Sequence, residues 1–210
     1  MIYSFDELES TQLYLIEALE NGQIEGATAV FARMQSAGVG SRGNGWMGGR
    51  GNFFASFALP QDDMPADLPL SSASIYFAWL MLECLRDLGA CVWLKWPNDL
   101  YVARSKAGGV ITRRSKGYFV VGIGVNLRGS DLPFGYIDID IDAEELLHLY
   151  IGRLERPPSW KYIFSKYRLE FERNKQWSFH LGDDSVEMKN ARLCDDGSLM
   201  INEKRIVGSR

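Results

Sequence analysis

The sequence has few cysteines, no excess of basic residues and no long apolar run, and each absence excludes a class of protein. Its 210 residues include only three cysteines, Cys84, Cys91 and Cys194, at wide and irregular spacing. This number and spacing fit neither a disulfide framework nor a zinc knuckle. The 23 basic and 27 acidic residues give a net charge of -4, which disfavours a surface for the backbone of a nucleic acid.

Signals for export, membrane insertion or standard nucleotide binding are also missing. The amino terminus, MIYSFDELES, has neither the basic start nor the apolar stretch of a secretory signal. No window approaches the roughly 18 apolar residues that cross a bilayer. There is no GxxxxGK loop followed by Ser or Thr, and no GxGxxG pattern opens a helix. We therefore expect a cytoplasmic protein without a membrane or nucleic-acid partner.

The sequence does contain enough apolar residues, 46% of the chain, for one substantial core and a small appended module. Helices are predicted after Ser10-Thr11, over 71–89, from Asp142 and over 159–171. Strands are predicted over 28–32, 52–59, 92–96, 100–102, 109–112 and 118–125, with short pieces in the tail. Because these signals do not alternate strictly, the expected class is α+β, with a mixed or mainly antiparallel sheet flanked by helices.

A glycine-rich segment, Gly38 to Gly51, is the first candidate for chemistry. Four glycines in eight residues predict irregular structure between Gln35 and Trp46. Glycines let main-chain N–H groups approach an anion closely, and Arg42 adds a charge-assisted donor. Trp46 is costly to expose unless it stacks on a flat heteroaromatic such as adenine. The alternative interpretation is a surface loop without a ligand.

Three further segments carry weaker signals. K-W-P-N-D at 95–99 is either an ordinary turn with Trp96 in the core or a site for ribose hydroxyls, an adenine edge or a metal-bound phosphate. K-A-G-G at 106–109 places an ammonium group at the start of an apolar strand. Glycines alternate with β-branched residues at 122–126, which suggests close approach of a ligand or of another backbone.

In their order and spacing these segments resemble the catalytic domain of biotin–protein ligases. The matching stretches are E-S-T-Q at 9–12, Q-S-A-G-V-G-S-R-G-N-G-W at 35–46, K-W-P-N-D at 95–99, K-A-G-G at 106–109 and G-I-G-V-N-L at 122–127. The K-W-P-N-D stretch is the most specific. D-G-S-L-M-I-N at 196–202 and R-I-V-G-S at 205–209 resemble the small C-terminal domain of that family, so the resemblance covers nearly the whole chain.

The resemblance implies a class II synthetase-like catalytic domain over 1–176 and a small SH3-like β domain over 177–210. It implies these biotin-binding residues: Ser10, Thr11, Gln12, Gln35, Gly38, Val39, Gly40, Ser41, Lys106, Gly109, Ile111 and Gly122. It implies these nucleotide-binding residues: Arg42, Trp46, Asn98 and Asn126. Lys106 and Arg42 would be catalytic, Asp99 is a weaker match, and no metal ligand is implied.

One departure concerns the glycine-rich segment, where the family usually reads G-R-G-R. The two arginine positions are Val39 and Ser41 here, and the nearest guanidinium group belongs to Arg42, one place later. Contacts to phosphate and carboxylate must then come from main-chain N–H groups, from Arg42 or from Arg50.

The implied activity joins biotin to ATP, with Mg²⁺ on the phosphates, to form biotinyl-5'-AMP. The biotin then passes to a lysine of the biotin carboxyl carrier protein of acetyl-CoA carboxylase or pyruvate carboxylase. Two alternatives remain: a lipoate or octanoate ligase or transferase of the same fold, and a biotin-binding module with weak catalysis. An N-terminal repressor domain is not expected because the matching stretches begin by Ser10, and either a monomer or a homodimer fits.

Overall fold

The structure, a computed structural model, describes residues 1–40, 45–46, 49–129, 134–182 and 184–208. The α-helices in these ranges are α1 (Thr11–Glu20), α2 (Ala73–Asp87), α3 (Ala143–Leu154) and α4 (Trp160–Glu170). The strands of the first half are β1 (Ile2–Phe5), β2 (Thr28–Ala32), β3 (Gly38–Val39), β4 (Gly45–Trp46), β5 (Phe53–Pro60), β6 (Val92–Lys95) and β7 (Asp99–Val102). The remaining strands are β8 (Ser105–Ser115), β9 (Tyr118–Val125), β10 (Ser178–Leu181), β11 (Asp184–Glu187), β12 (Arg192–Leu193), β13 (Leu199–Ile201) and β14 (Lys204–Ile206).

A seven-stranded sheet in the order β1-β2-β5-β9-β8-β7-β6 forms the centre of the molecule. Strands β1 and β2 run parallel, and every other neighbouring pair in this sheet is antiparallel. The predicted α+β class with a mixed, mainly antiparallel sheet is therefore confirmed. No described helix is long and apolar enough to cross a membrane.

Three of the α-helices begin where capping side chains predicted them. Ser10, Asp142 and Ser159 each accept a hydrogen bond from a main-chain N–H of the first turn, at 3.4, 2.8 and 3.2 Å. Such a bond satisfies one of the donors that a helix start leaves unpaired. The cap at Ser10 fixes where α1 starts beside the sheet.

The two faces of the sheet pack against different helices, because strand side chains alternate between faces. One face, with Phe31, Phe57 and Val121, joins α2, α3 and α4 in a large apolar core. The other face, with Val30, Ala58 and Val120, packs against α1. Helix α1 contacts mainly β2, β5 and β9 and touches β8 only marginally, so it leaves most of the β8, β7 and β6 side of that face uncovered.

The structure corrects the predicted elements in three places. Strand β1 was not predicted, and β8 runs from Ser105 to Ser115 instead of 109–112. The prediction of wholly irregular structure between Gln35 and Trp46 is wrong at its ends, since β3 and β4 pair as a short antiparallel ribbon. Glycine makes this close pairing possible, because a Cβ at Gly38 would lie 2.8 Å from the Trp46 carbonyl oxygen.

The C-terminal strands form a hairpin, β10-β11, and a three-stranded antiparallel sheet, β12-β13-β14. Their apolar side chains, including Phe179 and Leu199, belong to the same core as α2. The Trp96 indole donates a 2.9 Å hydrogen bond to the Gly197 carbonyl oxygen, which ties this module to the strand before the Pro-Asn-Asp turn. The small C-terminal β module is confirmed, and the boundary at 176/177 stays a prediction.

Candidate active site

A cavity of about 90 Å³ lies on the α1 face of the sheet, between the start of α1 and the β3-β4 ribbon. Its lining from the first half of the chain is Ser10, Thr11, Gln12, Gln35, Val39, Gly40, Gly45, Trp46 and Ser56. Its lining from the remaining strands is Asn98, Asp99, Lys106, Gly109, Val110, Ile111, Gly122, Ile123 and Gly124. Pockets for drug-sized ligands usually hold roughly 300–1,000 Å³, so the cavity in the described structure is smaller than a typical site of that kind.

Hydrogen bonds at the start of α1 fix the polar end of the cavity. The Gln35 side-chain oxygen accepts from both the main-chain N–H (2.8 Å) and the hydroxyl (3.1 Å) of Thr11. The Thr11 hydroxyl also lies 2.8 Å from the hydroxyl of Ser56, a fully buried residue on β5. These contacts occupy the Gln35 oxygen and leave its amide N–H₂ as a donor. The polar end therefore offers both an amide donor and hydroxyl groups.

Glycines of β9 form a flat floor. A Cβ at Gly122 would lie 3.1 Å from Ile111 and 3.2 Å from the Gln12 side-chain amide. A Cβ at Gly124 would lie 2.5 Å from the Trp46 ring, a distance that real Cβ atoms do not tolerate. The indole of Trp46 thus lies directly on the Gly124 backbone, which explains the glycine that sequence analysis noted inside this strand.

A cation and a carboxylate face each other at the other end of the cavity. The Lys106 ammonium lies 2.6 Å from a carboxylate oxygen of Asp99, with about 33% and 21% of the two side chains exposed. The same ammonium lies 5.7 Å from the centre of the Trp46 ring. A cation held by one carboxylate in a partly dry site can neutralise an incoming anion.

Two polar side-chain atoms on the cavity wall lack a hydrogen-bond partner in the described structure. Asn98 is buried, its amide donates to the Val110 carbonyl oxygen at 2.5 Å, and its side-chain oxygen is unpaired. The Trp46 indole N–H is buried and unpaired as well. Buried polar groups in folded proteins almost always have partners, and these two lie on the cavity wall, so a ligand in the cavity could supply the missing partners.

Comparison with known proteins assigns the fold and the site to a family. The model described as "Biotin/lipoate A/B protein ligase family" matches residues 4–130. The chain belongs to this family. Bifunctional ligase/repressor BirA of Escherichia coli K12 is 32% identical in an alignment of 224 positions, which covers 95% of this chain and 68% of that protein.

Solved structures extend the likeness to the whole chain. Biotin acetyl coenzyme A carboxylase synthetase from Helicobacter pylori, with bound biotinylated ATP, has a TM-score of 0.94 and 39% identity, and covers 98% of both chains. Biotin protein ligase from Aquifex aeolicus, in complex with biotin and ATP, has a TM-score of 0.78 and 23% identity, and covers 99% of this chain and 96% of that one. The latter similarity concerns the fold.

For this member of the biotin/lipoate ligase family, most of the predicted site residues lie around the one cavity. They are Ser10, Thr11, Gln12, Gln35, Val39, Gly40, Trp46, Asn98, Lys106, Gly109, Ile111 and Gly122. Segments that are up to 112 positions apart in sequence, from Ser10 to Gly122, thus converge in space. Their individual roles toward biotin or nucleotide stay predictions.

Other predicted residues lie elsewhere. Gly38 packs beneath Trp46 instead of lining the cavity, and the Asn126 amide donates to the Gly135 carbonyl oxygen at 3.1 Å, outside the cavity wall. Arg50 forms a two-point contact with Asp6 at 2.8 and 2.6 Å; this hydrogen bond lowers the pKa of the Asp6 carboxyl, and Arg50 does not reach the cavity. Ser41 and Arg42 lie outside the described residues.

Sequence reasoning did not assign five lining residues to the site, which are Gly45, Ser56, Val110, Ile123 and Gly124, although Gly45, Ile123 and Gly124 lie in segments that it singled out. It treated Asp99 only as a weak match, although Asp99 holds Lys106. A detectable signal existed for Ser56, because this hydroxyl interrupts the apolar run FFASFALP on the face that alternation assigns to α1. Contact between Gly124 and Trp46 joins segments that are distant in sequence and could not be read from local pattern.

Proposed function

We propose that this protein is a biotin–protein ligase, which forms biotinyl-5'-AMP from biotin and ATP and transfers biotin to a lysine of a biotin carboxyl carrier protein. The main support is the convergence of a polar pocket, a glycine floor and Lys106 in one cavity. The full-length likeness to a synthetase whose structure holds biotinylated ATP agrees with this proposal.

The polar end of the cavity suits the ureido ring of biotin, which carries one carbonyl and two N–H groups. The Gln35 amide N–H₂ can donate to a ring carbonyl, and the Thr11 and Ser56 hydroxyls can accept from ring N–H groups. Ile111 and the backbone of Gly122 then contact the apolar part of the ligand. Biotin would therefore lie along the glycine floor, with its carboxylate toward Lys106.

Lys106 would neutralise the repulsion between the biotin carboxylate and the α-phosphate of ATP. The carboxylate oxygen attacks the α-phosphorus and pyrophosphate leaves; the acceptor amine then attacks the carbonyl carbon of the mixed anhydride, and AMP leaves. At an effective dielectric constant near 20, two unit charges about 4 Å apart repel by roughly 4 kcal/mol. Positioning and neutralisation are thus the main contributions that the protein has to supply.

The nucleotide would bind at the Trp46 end of the cavity. The indole offers a stacking surface for adenine, and the unpaired Asn98 oxygen can accept from an N–H or a ribose hydroxyl. Asn126 would support the nucleotide by holding Gly135 with its amide N–H₂, while its own side-chain oxygen is buried and unpaired. With Val39 and Ser41 at the usual arginine positions, main-chain N–H groups and Arg42 would contact the phosphates.

The residues present fit Mg²⁺ bound mainly to substrate phosphates. The described residues contain no group of three or more His, Cys, Asp or Glu side chains that could hold a metal by itself. Mg²⁺ ordinarily uses one or two carboxylates together with substrate phosphates. Asp99 is a carboxylate at the Lys106 end of the cavity, where the phosphates would bind. The ion would add positive charge at the phosphates.

The test is biotin-dependent exchange between ATP and pyrophosphate in Lys106→Ala. We expect exchange to fall to background while the fold persists, because the cation that screens the two anions is gone. The matched control is Lys116→Ala, an exposed lysine that donates to the Glu20 carbonyl oxygen and should keep full exchange. Near wild-type exchange in Lys106→Ala would overturn the assignment of this residue.

The exchange assay with biotin, lipoate or octanoate as the acid distinguishes the proposed biotin ligase from the two alternative functions. Lipoate and octanoate lack the ureido group, so the hydroxyl and amide groups around Thr11 favour biotin. Exchange that depends on lipoate or octanoate instead of biotin would establish the alternative within the family. Binding of biotin without any exchange would establish a binding module. Cytoplasmic location, the choice of carrier, and monomer or homodimer state remain predictions.

A further inference from the structure

A cluster of aromatic rings and cations extends the sheet face of the cavity outward to the edge strand β6. Trp93, Tyr101 and Trp177 form a triangle with ring centres 5.2 to 5.4 Å apart. The Lys95 ammonium lies 5.2 and 5.1 Å from the Tyr101 and Trp177 rings. We call these residues, together with Arg104 and Arg173, the cationic patch.

The two arginines complete the patch on its exposed side. The Arg104 guanidinium lies 5.1 Å from the centre of the Trp177 ring, and that of Arg173 lies 4.9 Å from the Trp93 ring. In the described part of the chain, neither arginine nor Lys95 has a carboxylate at ion-pair distance. Burial lowers the pKa of Lys95, and the nearby Asp99 opposes this shift. The two guanidinium groups stay charged in proteins, so their positive charge does not depend on such a shift.

The patch and the cavity share one face of the sheet. Lys95 pairs in register with Asp99, and Tyr101 with Lys106, while Asp99 and Lys106 line the cavity. Lys95 and Lys106 lie two strands apart, which is about 10 Å at the usual strand spacing. That separation is close to the Debye length of about 10 Å at 0.1 M salt. Salt therefore does not fully screen the attraction between the charges of the patch and a charged partner docked at the cavity mouth.

The Asn174 side chain beneath the patch occupies hydrogen-bonding groups that an added strand would need. The buried Asn174 side chain accepts from the Trp96 N–H at 2.7 Å and donates to the Leu94 carbonyl oxygen at 3.2 Å. These bonds use hydrogen-bonding groups along the outer edge of β6 and hold the segment with Arg173 and Trp177 in place. A partner must therefore recognise the patch through side chains, and Trp, Tyr and Arg are the residues enriched at protein interfaces.

We infer that the cationic patch docks an acidic surface of the carrier protein, next to the lysine that receives biotin. This inference rests on the proposed ligase function, because only the second half-reaction brings a protein to the cavity mouth. The partner is acidic because the patch presents positive charge without internal compensation. A nucleotide phosphate is the competing occupant, and it would be used in the first half-reaction.

The experiment separates the two half-reactions in the full-length protein. Arg104→Glu with Arg173→Glu is compared with Arg168→Glu, an exposed arginine on α4. Wild type and variants are assayed for biotin-dependent ATP–pyrophosphate exchange and for biotin transfer to a biotin carboxyl carrier domain. We expect unchanged exchange, and a kcat/KM for the carrier that falls roughly tenfold in the double variant through KM, with a weaker dependence on salt.

The outcomes distinguish failure of the inference from failure of the function. No biotin-dependent exchange in wild type would reject the ligase proposal itself. Normal exchange together with an unchanged carrier KM in the double variant would reject the carrier surface alone. A raised KM for ATP in the exchange assay would assign the patch to phosphate instead. Restored transfer on replacing acidic carrier residues beside the acceptor lysine with lysine would support charge pairing directly.

Discussion

At the scale of single residues, the contact between Gly124 and Trp46 determines the shape of the cavity. The indole lies on the strand backbone only because position 124 has no side chain. The Trp46 ring is therefore well packed in the described structure, but its N–H is buried and has no hydrogen-bond acceptor. A stacked base would contact the face of the ring, and a different group of the ligand, near the plane of the ring, could supply the missing acceptor.

Gly124→Ala should displace Trp46, because the new methyl group would lie 2.5 Å from the ring. We expect the Kd of a non-hydrolysable ATP analogue for the biotin-bound protein to rise roughly three- to tenfold, the size of one lost aromatic contact. Calorimetry measures this Kd, and Trp46→Ala should give a similar loss. Biotin binding should be mostly retained in Trp46→Ala.

The control for that prediction is Gly152→Ala in α3, where an added Cβ meets nothing within 4 Å. This substitution should leave nucleotide affinity unchanged and raise the free energy of unfolding by about 0.5–1 kcal/mol, because glycine is unfavourable inside a helix. Unchanged affinity in Gly124→Ala as well would argue against the stacking role of Trp46.

At the scale of elements, the Asn174 side chain bonds to the outer edge of β6, where no further strand pairs in the described structure. Edge strands present unpaired N–H and C=O groups that invite association. The segment Phe171–Gln176 covers the edge of β6, and the Asn174 amide bonds to both Trp96 and Leu94. A single side chain thereby closes this end of the sheet and positions the K-W-P-N-D turn that follows β6.

Asn174→Ala should lower the free energy of unfolding by about 2–4 kcal/mol, since it leaves the Trp96 N–H and the Leu94 carbonyl oxygen buried and unpaired. Urea denaturation measures the change. Asn190→Ala removes an exposed amide and should alter stability by less than about 0.5 kcal/mol. Equal effects of the two substitutions would show that the bridge to β6 adds little stability.

Most elements could be predicted from sequence where the signal was local. The caps at Ser10 and Asp142 and the apolar repeat of α2 specify their helices through contacts within a few residues. Strand β1 could not be recognised, because four residues with alternating partial exposure carry a weak pattern and depend on β2 for pairing. The length of β8 likewise follows from its partner β9 and not from its own composition.

The candidate site also combines features that the sequence predicted with contacts that it could not predict. The family resemblance named segments that do converge, with Gln35, Asn98 and Lys106 on one cavity. It could not reveal that the Arg50 guanidinium pairs with Asp6, nor that the buried Ser56 hydroxyl completes the polar end. Such contacts depend on the arrangement of distant elements, which no local pattern encodes.

At the scale of the whole molecule, Asp196 joins the C-terminal module to the main core. Its carboxylate accepts a 2.6 Å hydrogen bond from the Ser198 hydroxyl and pairs with Arg205. Its main-chain oxygen accepts from the Ser72 hydroxyl at the start of α2. Burial would raise the pKa of Asp196, but the hydrogen bonds from Ser198 and Arg205 hold the pKa below its ordinary value of 3.8.

A lowered pKa means that ionised Asp196 stabilises the fold above pH 3.8 and that this stability is lost as pH falls through the lower folded-state pKa. Asp196→Asn should therefore be less stable than wild type at neutral pH, and the difference should shrink in acid. Urea denaturation from neutral pH to about pH 3 measures both. The exposed Asp140→Asn should show no such convergence, and a difference for Asp196→Asn that is constant with pH would contradict the assignment.

Gly208 connects the C-terminal module to the Pro-Asn-Asp turn at the cavity wall. A Cβ at Gly208 would lie 2.6 Å from the Pro97 side chain, and the Ser74 hydroxyl donates to the Gly208 carbonyl oxygen at 3.2 Å. The turn that presents Asn98 and Asp99 to the cavity therefore rests on a segment that lies about 110 positions later in the sequence. The small C-terminal module thus supports one wall of the cavity from outside, so a substitution in that module can alter the cavity without lining it.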